Sequence, residues 1–187
     1  LSAFGIGDLK PLKLNNLNDE FNSSINWEVK LSDQKKYLCP SIFGRSFRNV
    51  KNIKSPRWMV NRLLAVGLRP ISSIVDVTNY VMMDIGRPLH AYDVNKINGN
   101  TLTVRISEKG EQFNALNGKT YELDDSMLVI SDEKGVDDLA GIMGGSRTGV
   151  DENTTDFFLE AAIFCPISIA KTGRYLNINS DARYRFE

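Results

Sequence analysis

Two side chains in this sequence of 187 residues could carry chemistry. His90 is the only histidine, and histidine is the side chain whose charge ordinarily changes near neutral pH. Glu160 lies in segment 157–164, where alternation places it on one face with Phe158 and Ala162. A carboxylate on an apolar face is costly unless it is paired, so we expect burial to raise its pKa and a pocket to surround it. The alternatives are a structural histidine and an acid that reaches solvent at a strand end.

Two further motifs could bind a ligand through polar groups. Segment 140–145 is Ala-Gly-Ile-Met-Gly-Gly, without the Gly-Lys-Ser/Thr of a P-loop or the strand-turn-helix setting of a dinucleotide site. It predicts a turn with accessible backbone N–H and C=O groups, because glycine permits close approach and positive φ. Thr78 and Asn79 are adjacent in a predicted helix although both are modest helix formers. They hydrogen-bond either a ligand or the backbone of their own helix.

Other catalytic sets are not recognisable in the sequence. No Ser/His/Asp, Cys/His or paired-carboxylate arrangement can be picked out. Cys39 and Cys165 form no CxxC pair, and with a single histidine no metal site is expected. We interpret the cysteines as reduced thiols of a cytosolic protein, with a disulfide between them as the alternative.

The elements that must position these residues follow a mixed α+β pattern. Ser55 and Pro56 are expected to cap and open a helix that ends at Gly67, and Gly86 ends a second helix. Asn117-Gly118 predicts a hairpin turn. The predicted strands are 25–31, 37–50, 113–116, 120–123, 127–130 and 156–164, the predicted helices are 56–66, 75–83 and 166–175, and segments 15–19 and 22–24 are predicted loops.

The net charge of zero conceals two halves of opposite sign. Hydrophobic residues make up 42% of the chain and charged residues 25%, which is close to the globular average. Residues 1–70 contain 12 basic and 5 acidic groups, whereas residues 71–187 contain 11 basic and 18 acidic groups. The basic segment, residues 34–75, holds nine Lys or Arg and no acid. It could bind a phosphate backbone, or it could be a solvated face whose charges meet the acidic half.

Neither a membrane span nor a signal peptide is predicted. No apolar run approaches the ~18 residues that a span needs, and the start at Leu1 has neither Met nor a basic leader region. Because the chain begins at Leu1 and stops at Glu187, we expect it to be an excised piece of a larger protein.

Four segments recur in an order and spacing that are specific to one known family. They are SPRWMVNRLLAVGLRPISSIVDVTNYVMMDIGRPLHAYD (55–93), LAGIMGG (139–145), FFLEAAIFCPISIAKTGRYL (157–176) and SDARYRFE (180–187), with a weaker match at LSAFGIGDL (1–9). Together they resemble the editing domain in the β subunit of bacterial phenylalanyl-tRNA synthetase. The resemblance implies an editing domain over residues 25–187, preceded by a leading segment 1–24 of another region. It also implies an α+β fold with mixed, largely antiparallel sheets and flanking helices.

The resemblance further implies an activity, a location and partners. The family's editing domain hydrolyses the ester of tyrosine mistakenly attached to tRNA(Phe). It does so within a cytoplasmic ligase whose β subunits join α subunits in an (αβ)2 tetramer. The implied partners are the α subunit and the tRNA(Phe) 3′ end carrying tyrosine. The whole ligase uses ATP and magnesium, whereas no cofactor or metal is implied for this domain, and the aminoacylation active site is not in this chain.

Site residues carried over from the family's motifs form two groups. Ser180 keeps the hydroxyl of the Thr that many members have, and Arg183 replaces a Ser that is common there. The implied catalytic residues are His90, Thr78 and Asn79, and the implied substrate-binding residues are Glu160, Gly141, Gly144, Ser180 and Ala182.

Tyrosine differs from phenylalanine by one hydroxyl, and the implied residues suit that difference. A site that hydrogen-bonds a hydroxyl rejects the analogue without it by roughly 10⁴–10⁵, whereas an apolar pocket rejects an added hydroxyl by only ~10². Glu160 would accept from the phenol O–H, with a Gly144 backbone group as the second partner. Hydrolysis by an ordered water is expected, with His90 either a general base or a hydrogen-bonding group. The alternative function is a non-catalytic tRNA-docking or subunit-scaffold module.

Overall fold

The structure, a computed structural model, describes residues 1–13 and 20–187, and this part of the chain contains ten strands and four α-helices. The strands are β1 Asn26–Lys30, β2 Ser41–Phe47, β3 His90–Asp93, β4 Thr101–Ile106, β5 Gln112–Asn114, β6 Thr120–Glu122, β7 Leu128–Asp132, β8 Gly135–Leu139, β9 Met143–Gly144 and β10 Phe157–Ile163. The helices are α1 Arg57–Ala65, α2 Ser73–Ile85, α3 Pro166–Tyr175 and α4 Asp181–Phe186. Short 3₁₀ segments cover Ser2–Phe4, Asp33–Leu38 and Val94–Lys96. The loop predicted at 15–19, and with it part of the leading segment 1–24, lies outside the described residues.

The strands pair into three sheets. Their orders are β1-β4-β7-β8-β9, β2-β10-β3 and β5-β6. β1 runs parallel to β4, whereas the other pairings among the described strands are antiparallel. The predicted α+β class with largely antiparallel sheets is therefore confirmed.

The two larger sheets share one hydrophobic core. Leu102, Val104, Ile130 and Leu139 of the five-stranded sheet are 0% exposed, and Phe158 of β10 is 1% exposed in the same cluster. Fully burying a side chain of this size stabilises the fold by ~1.5–3 kcal/mol. This packing sets the distance between β10, which carries Glu160, and the strands β8 and β9.

Helix α2 packs on the other face of the three-stranded sheet. Its Ile74 clusters with Ala91 of β3 and Phe157 of β10. Successive strand residues point to opposite faces. His90 is one residue from Ala91 and Glu160 is three residues from Phe157, so both lie on the face of the sheet away from this cluster.

The predicted elements are confirmed to within about two residues, except for one strand. Strands β3, β4, β8 and β9 and helix α4 are not among the predicted ranges. The predicted strand 37–50 begins only at Ser41, because Pro40 has no N–H to donate to a ladder. It ends at Phe47, just before Asn49 adopts a positive φ of 56°. Helix α4 was not expected, since its six residues are too few to show an apolar period.

The cap of helix α1 differs from the prediction. Pro56 occupies the N-cap position and no side chain caps the helix. The Ser55 hydroxyl instead donates to Oδ2 of Asp76 at 2.6 Å, and the Ile71 N–H donates to Oδ1 at 2.8 Å. Asp76 is 1% exposed, and a buried carboxyl group needs such partners more than an accessible helix end does.

Both cysteines are free thiols. Burial, and after it the charge of Glu160, raises the pKa of Cys39 to about 11. This thiol therefore stays protonated at neutral pH. That both cysteines are free confirms the predicted thiols against the disulfide alternative.

Candidate functional site

A cavity of about 60 Å³ lies between the three-stranded sheet, the β8–β9 turn and helix α4. Its lining combines two carboxyl groups and an imidazole with apolar side chains and glycine backbone. The lining residues are Pro88, Leu89, His90, Asp138, Gly141, Ile142, Met143, Gly144, Glu160, Phe164, Ala182 and Phe186. Five of the predicted site residues are among them: His90, Glu160, Gly141, Gly144 and Ala182.

The sheet register brings His90 and Glu160 together. They are directly opposite each other in the antiparallel β3–β10 pair, a position in which Cβ atoms lie roughly 4.5–5.5 Å apart. The predicted face of β10 is confirmed, because Phe158, Glu160 and Ala162 are only 1%, 6% and 2% exposed. Glu160 is thus a buried acid and not one that reaches solvent.

His90 has one polar neighbour and one unpaired nitrogen. Its Nδ1 lies 3.7 Å from Oδ2 of Asp138, and its ring meets the Tyr92 ring edge-on with centroids 4.4 Å apart. Its Nε2 is buried without a hydrogen-bond partner among the described residues. Burial lowers the pKa of His90 to about 4, so the imidazole is neutral at neutral pH.

Asp138 is a buried acid in the middle of this cluster. It is 4% exposed, and its Oδ2 lies 3.5 Å from the hydroxyl of Tyr92, which is 0% exposed. Burial raises the pKa of Asp138 well above its ordinary value, and the charges of Glu160 and Asp137 raise it further. The cluster therefore favours neutral groups.

Burial also favours the neutral form of Glu160. Burial raises its pKa to about 8, although the charge of Arg87 opposes the shift. The Arg87 guanidinium donates to the Ala162 carbonyl at 3.0 Å, and no hydrogen bond from the described residues reaches the Glu160 carboxyl group. At neutral pH this group is mainly a carboxylic acid that can both donate and accept.

Glycines make the turn over the cavity possible. Gly141 has a φ of +70°, and a Cβ there would lie 2.9 Å from Ile169 and from Phe164. A Cβ on Gly144 would overlap Cε1 of His90. The Gly144 carbonyl already accepts the Leu116 N–H at 2.9 Å, which leaves a second lone pair for a ligand.

Three predicted site residues lie outside the cavity lining. The Thr78 hydroxyl donates to the Val75 carbonyl at 2.8 Å within α2, and Asn79 is next to it on that helix. The Ser180 hydroxyl donates to the Ile142 carbonyl at 2.6 Å and accepts the Arg183 N–H at 3.0 Å. Ser180 thereby attaches α4 to the glycine turn. The roles predicted for these three residues stay predictions.

Asp138, Tyr92 and Phe186 are members of the site that the sequence patterns did not single out. The adjacent acids Asp137 and Asp138 in an otherwise apolar segment were a signal, because alternation forces at least one of them inward. No local pattern marked Tyr92 or Phe186, whose proximity to the cavity depends on contacts between distant segments.

The titratable groups of the cavity are not arranged as metal ligands. Over residues 1–13 and 20–187, no group of three or more His, Cys, Asp or Glu side chains could hold a metal ion. In that same part of the chain no helix is long and apolar enough to span a membrane.

Basic residues of the segment 34–75 remain largely without acidic partners. Lys36 pairs with its neighbour Asp33 at 2.7 Å. Arg45 aside, no ion pair in the described chain joins this segment to the acidic residues of the 71–187 half. On α1, Arg62 lies 5.5 Å from the ring of Trp58 and 5.8 Å from that of Tyr80. Apart from Arg45, the ion pairs of the described residues therefore give no support to the alternative in which the charges of this segment meet the acidic half.

The α+β fold of this chain is also found in a solved fragment of a tRNA synthetase subunit. The matching solved structure is an N-terminal fragment of the phenylalanyl-tRNA synthetase β subunit from Pyrococcus horikoshii, with a TM-score of 0.51 and 15% identity. The match covers 86% of this chain and 48% of that fragment. At this identity the likeness shows the fold alone.

The chain belongs to the B3/4 domain family, whose model matches residues 38–187. It is also similar over its whole length to phenylalanine–tRNA ligase β subunits. Those of Paramagnetospirillum magneticum and Bartonella henselae are 50% and 51% identical to it. The chain spans only 23% of the length of either relative.

Proposed function

We propose that the cavity binds and hydrolyses an aminoacyl ester of tRNA, as the editing site that removes tyrosine from tRNA(Phe) in a phenylalanine–tRNA ligase. The observation that carries the proposal is Glu160, a buried carboxyl group without a hydrogen-bond partner in the described chain. It lines a largely apolar cavity directly across from a neutral histidine. The same proposal gives this chain an α subunit and tRNA(Phe) as partners, because the similar relatives are ligase β subunits.

Glu160 suits the recognition of a phenol hydroxyl. The apolar walls of the cavity, such as Leu89, Ile142 and Phe164, accept an aromatic ring, and the carboxyl group can exchange a hydrogen bond with the phenol. A phenylalanine ring would bury that carboxyl group unpaired, at a cost of about 1–3 kcal/mol for each unsatisfied polar group. Selection for tyrosine follows from this difference.

An aromatic ring must displace part of the lining when it enters. A cavity of ~150 Å³ holds benzene, whereas this one measures about 60 Å³. Phe186, in the last turn of α4, packs on Phe164 with ring centroids 5.3 Å apart. We expect Phe186 and the flexible Met143 to give way.

Hydrolysis is proposed to use an ordered water. The lining contains no Ser, Thr, Cys or Lys that could form a covalent intermediate. His90 supplies a neutral polar group beside Glu160. Thr78 and Asn79 complete the proposed set where the substrate extends beyond the cavity.

Gly144→Ala tests the site directly. The new Cβ would displace the His90 ring, and a misplacement of ~1 Å can cost 10²-fold in rate. We therefore expect the complete ligase carrying this change to deacylate Tyr-tRNA(Phe) about 10²-fold more slowly than the wild-type enzyme, at unchanged aminoacylation. Gly7→Ala is the matched control, because a Cβ there meets nothing within 4 Å. Full deacylation by the Gly144 variant, or none by the wild-type enzyme, would refute the proposal.

A tRNA-docking role of the basic segment is the second candidate function. It is favoured by Trp58, which is 52% exposed and stacks edge-on with Tyr80 at 5.4 Å beside Arg62. Exposed aromatic rings interleaved with cations are typical of surfaces that bind single-stranded nucleic acid.

The double substitution Arg57→Ala and Arg62→Ala measures this role. We expect weaker tRNA(Phe) binding. The slope of log affinity against log salt concentration should also become less negative by about one for each phosphate that the protein no longer neutralises. The control is Lys134→Ala, an exposed lysine of the acidic half. An unchanged salt dependence would show that this face is merely solvated.

A further inference from the structure

Asp138 is a buried acid of the cavity to which neither the family resemblance nor the relatives assign a role. Its Oδ2 has two polar neighbours, the Tyr92 hydroxyl at 3.5 Å and His90 Nδ1 at 3.7 Å. Gly144, opposite Asp138 in the β8–β9 pair, leaves room for the Cε1–Nδ1 edge of the imidazole. The strand pairing thus directs Asp138 at one particular nitrogen of His90.

We propose that Asp138 is a positioning residue whose carboxylic acid donates to Nδ1 of His90 and so leaves Nε2–H as the free donor of the site. The Tyr92 hydroxyl donates to the same Oδ2, which completes a chain from Tyr92 through Asp138 to His90. The present 3.7 Å separation is longer than a hydrogen bond, and such contacts in unliganded sites commonly shorten when substrate binds. In this arrangement His90 binds the ester or the water as a donor and is not the general base.

The charges around His90 agree with this protonation. Tyr92 faces it from β3, Asp138 from β8 and Glu160 from β10, and the charge of Arg87, before β3, acts on Glu160. Burial raises the pKa of Asp138 and lowers that of His90 to about 4. The acid is therefore the protonated partner at neutral pH, and the imidazole accepts. Nε2, which has no partner in the described chain, then carries the single N–H proton of the neutral ring.

The inference deepens the proposed function, but its test does not depend on it. Because His90 is the only histidine, ¹⁵N-histidine labelling of the full 187-residue chain gives the two imidazole nitrogens of one residue. At pH 7 we expect Nδ1 to resonate as an unprotonated acceptor and Nε2 as an N–H. The opposite assignment, with the proton on Nδ1, would overturn the proposal.

Two substitutions separate positioning from mere packing. Asp138→Asn keeps an N–H donor for Nδ1 and should therefore preserve the Nε2–H tautomer. If Asp138 were instead a carboxylate that accepts from Nδ1–H, the same change would remove the Nδ1–H tautomer. Asp138→Ala should give a tautomer mixture and slow Tyr-tRNA deacylation by the complete ligase about 10²-fold, the usual cost of losing an oriented donor. Asp125→Asn, at an exposed acid, is the control. An Asp138→Ala variant with the wild-type tautomer would refute the role, while absent deacylation with the expected tautomer would refute only the proposed function.

Discussion

A ligase carrying Glu160→Ala is expected to lose most of its preference for tyrosyl over phenylalanyl esters. A site that hydrogen-bonds the hydroxyl discriminates by roughly 10⁴–10⁵, whereas an apolar pocket distinguishes the two rings by only ~10². Because the ~10² of an apolar pocket favours phenylalanine, the ratio of the Tyr-tRNA(Phe) to the Phe-tRNA(Phe) deacylation rate should fall by about 10⁴-fold or more. The rates are measured on Tyr-tRNA(Phe) and Phe-tRNA(Phe) under identical conditions.

Glu160→Gln is the informative companion to that variant. Because burial raises the pKa of Glu160 to about 8, the wild-type group is mainly a neutral acid at pH 7, and a carboxamide can reproduce its donor and its acceptor. We expect Glu160→Gln to keep much of the discrimination and to remove its change with pH around 8. If Glu160→Ala leaves the tyrosine-to-phenylalanine ratio unchanged, the recognition role is wrong.

Arg147→Ala is expected to destabilise the fold by about 3–5 kcal/mol, the usual effect of removing one partner from a buried ion pair. The Arg147 guanidinium binds Asp132 through two hydrogen bonds, at 2.7 and 2.8 Å, and it also binds Asp137. Both carboxyl side chains are 0% exposed. The substitution leaves two buried acids on neighbouring strands β7 and β8 without their cation.

The size of that loss should depend on pH. Hydrogen bonds from Arg147 and Asn98 overcome burial and lower the pKa of Asp132 to about 2. A lowered pKa contributes stability that is present above the unfolded value of about 3.9 and is lost as the pH falls through 2. The difference between wild type and variant in urea unfolding should therefore be large at pH 7 and shrink towards pH 2.

Arg147→Lys provides the control for charge alone, because lysine keeps the cation but loses the two-pronged geometry. We expect it to lie between wild type and Arg147→Ala. Equal unfolding free energies for wild type and Arg147→Ala at pH 7 would contradict the prediction.

Local patterns predicted the elements that carry the site. The alternation around Glu160 placed it on a buried face, because a strand has a period of two wherever it lies in the fold. Pro166 marked the start of α3, since proline is pre-organised for the first helical turn. The prediction of the second strand was wrong only before Pro40 and after Phe47, where backbone constraints act within one or two residues.

The composition of the cavity could not be predicted in the same way. His90 and Glu160 were candidates by residue type, but their pairing across β3 and β10 joins segments 70 positions apart. Asp138 approaches His90 from a different sheet.

The sequence alone determined the α+β class, the strand that carries Glu160, the charge asymmetry and a resemblance whose residues largely line one cavity. Tertiary structure decided that Asp138 and Tyr92 belong to the site and that Thr78, Asn79 and Ser180 lie outside its lining. The reason is physical. Backbone dihedrals and side-chain periodicity depend on neighbours within a few residues, whereas a cavity and its pKa shifts depend on how distant strands pack and exclude water.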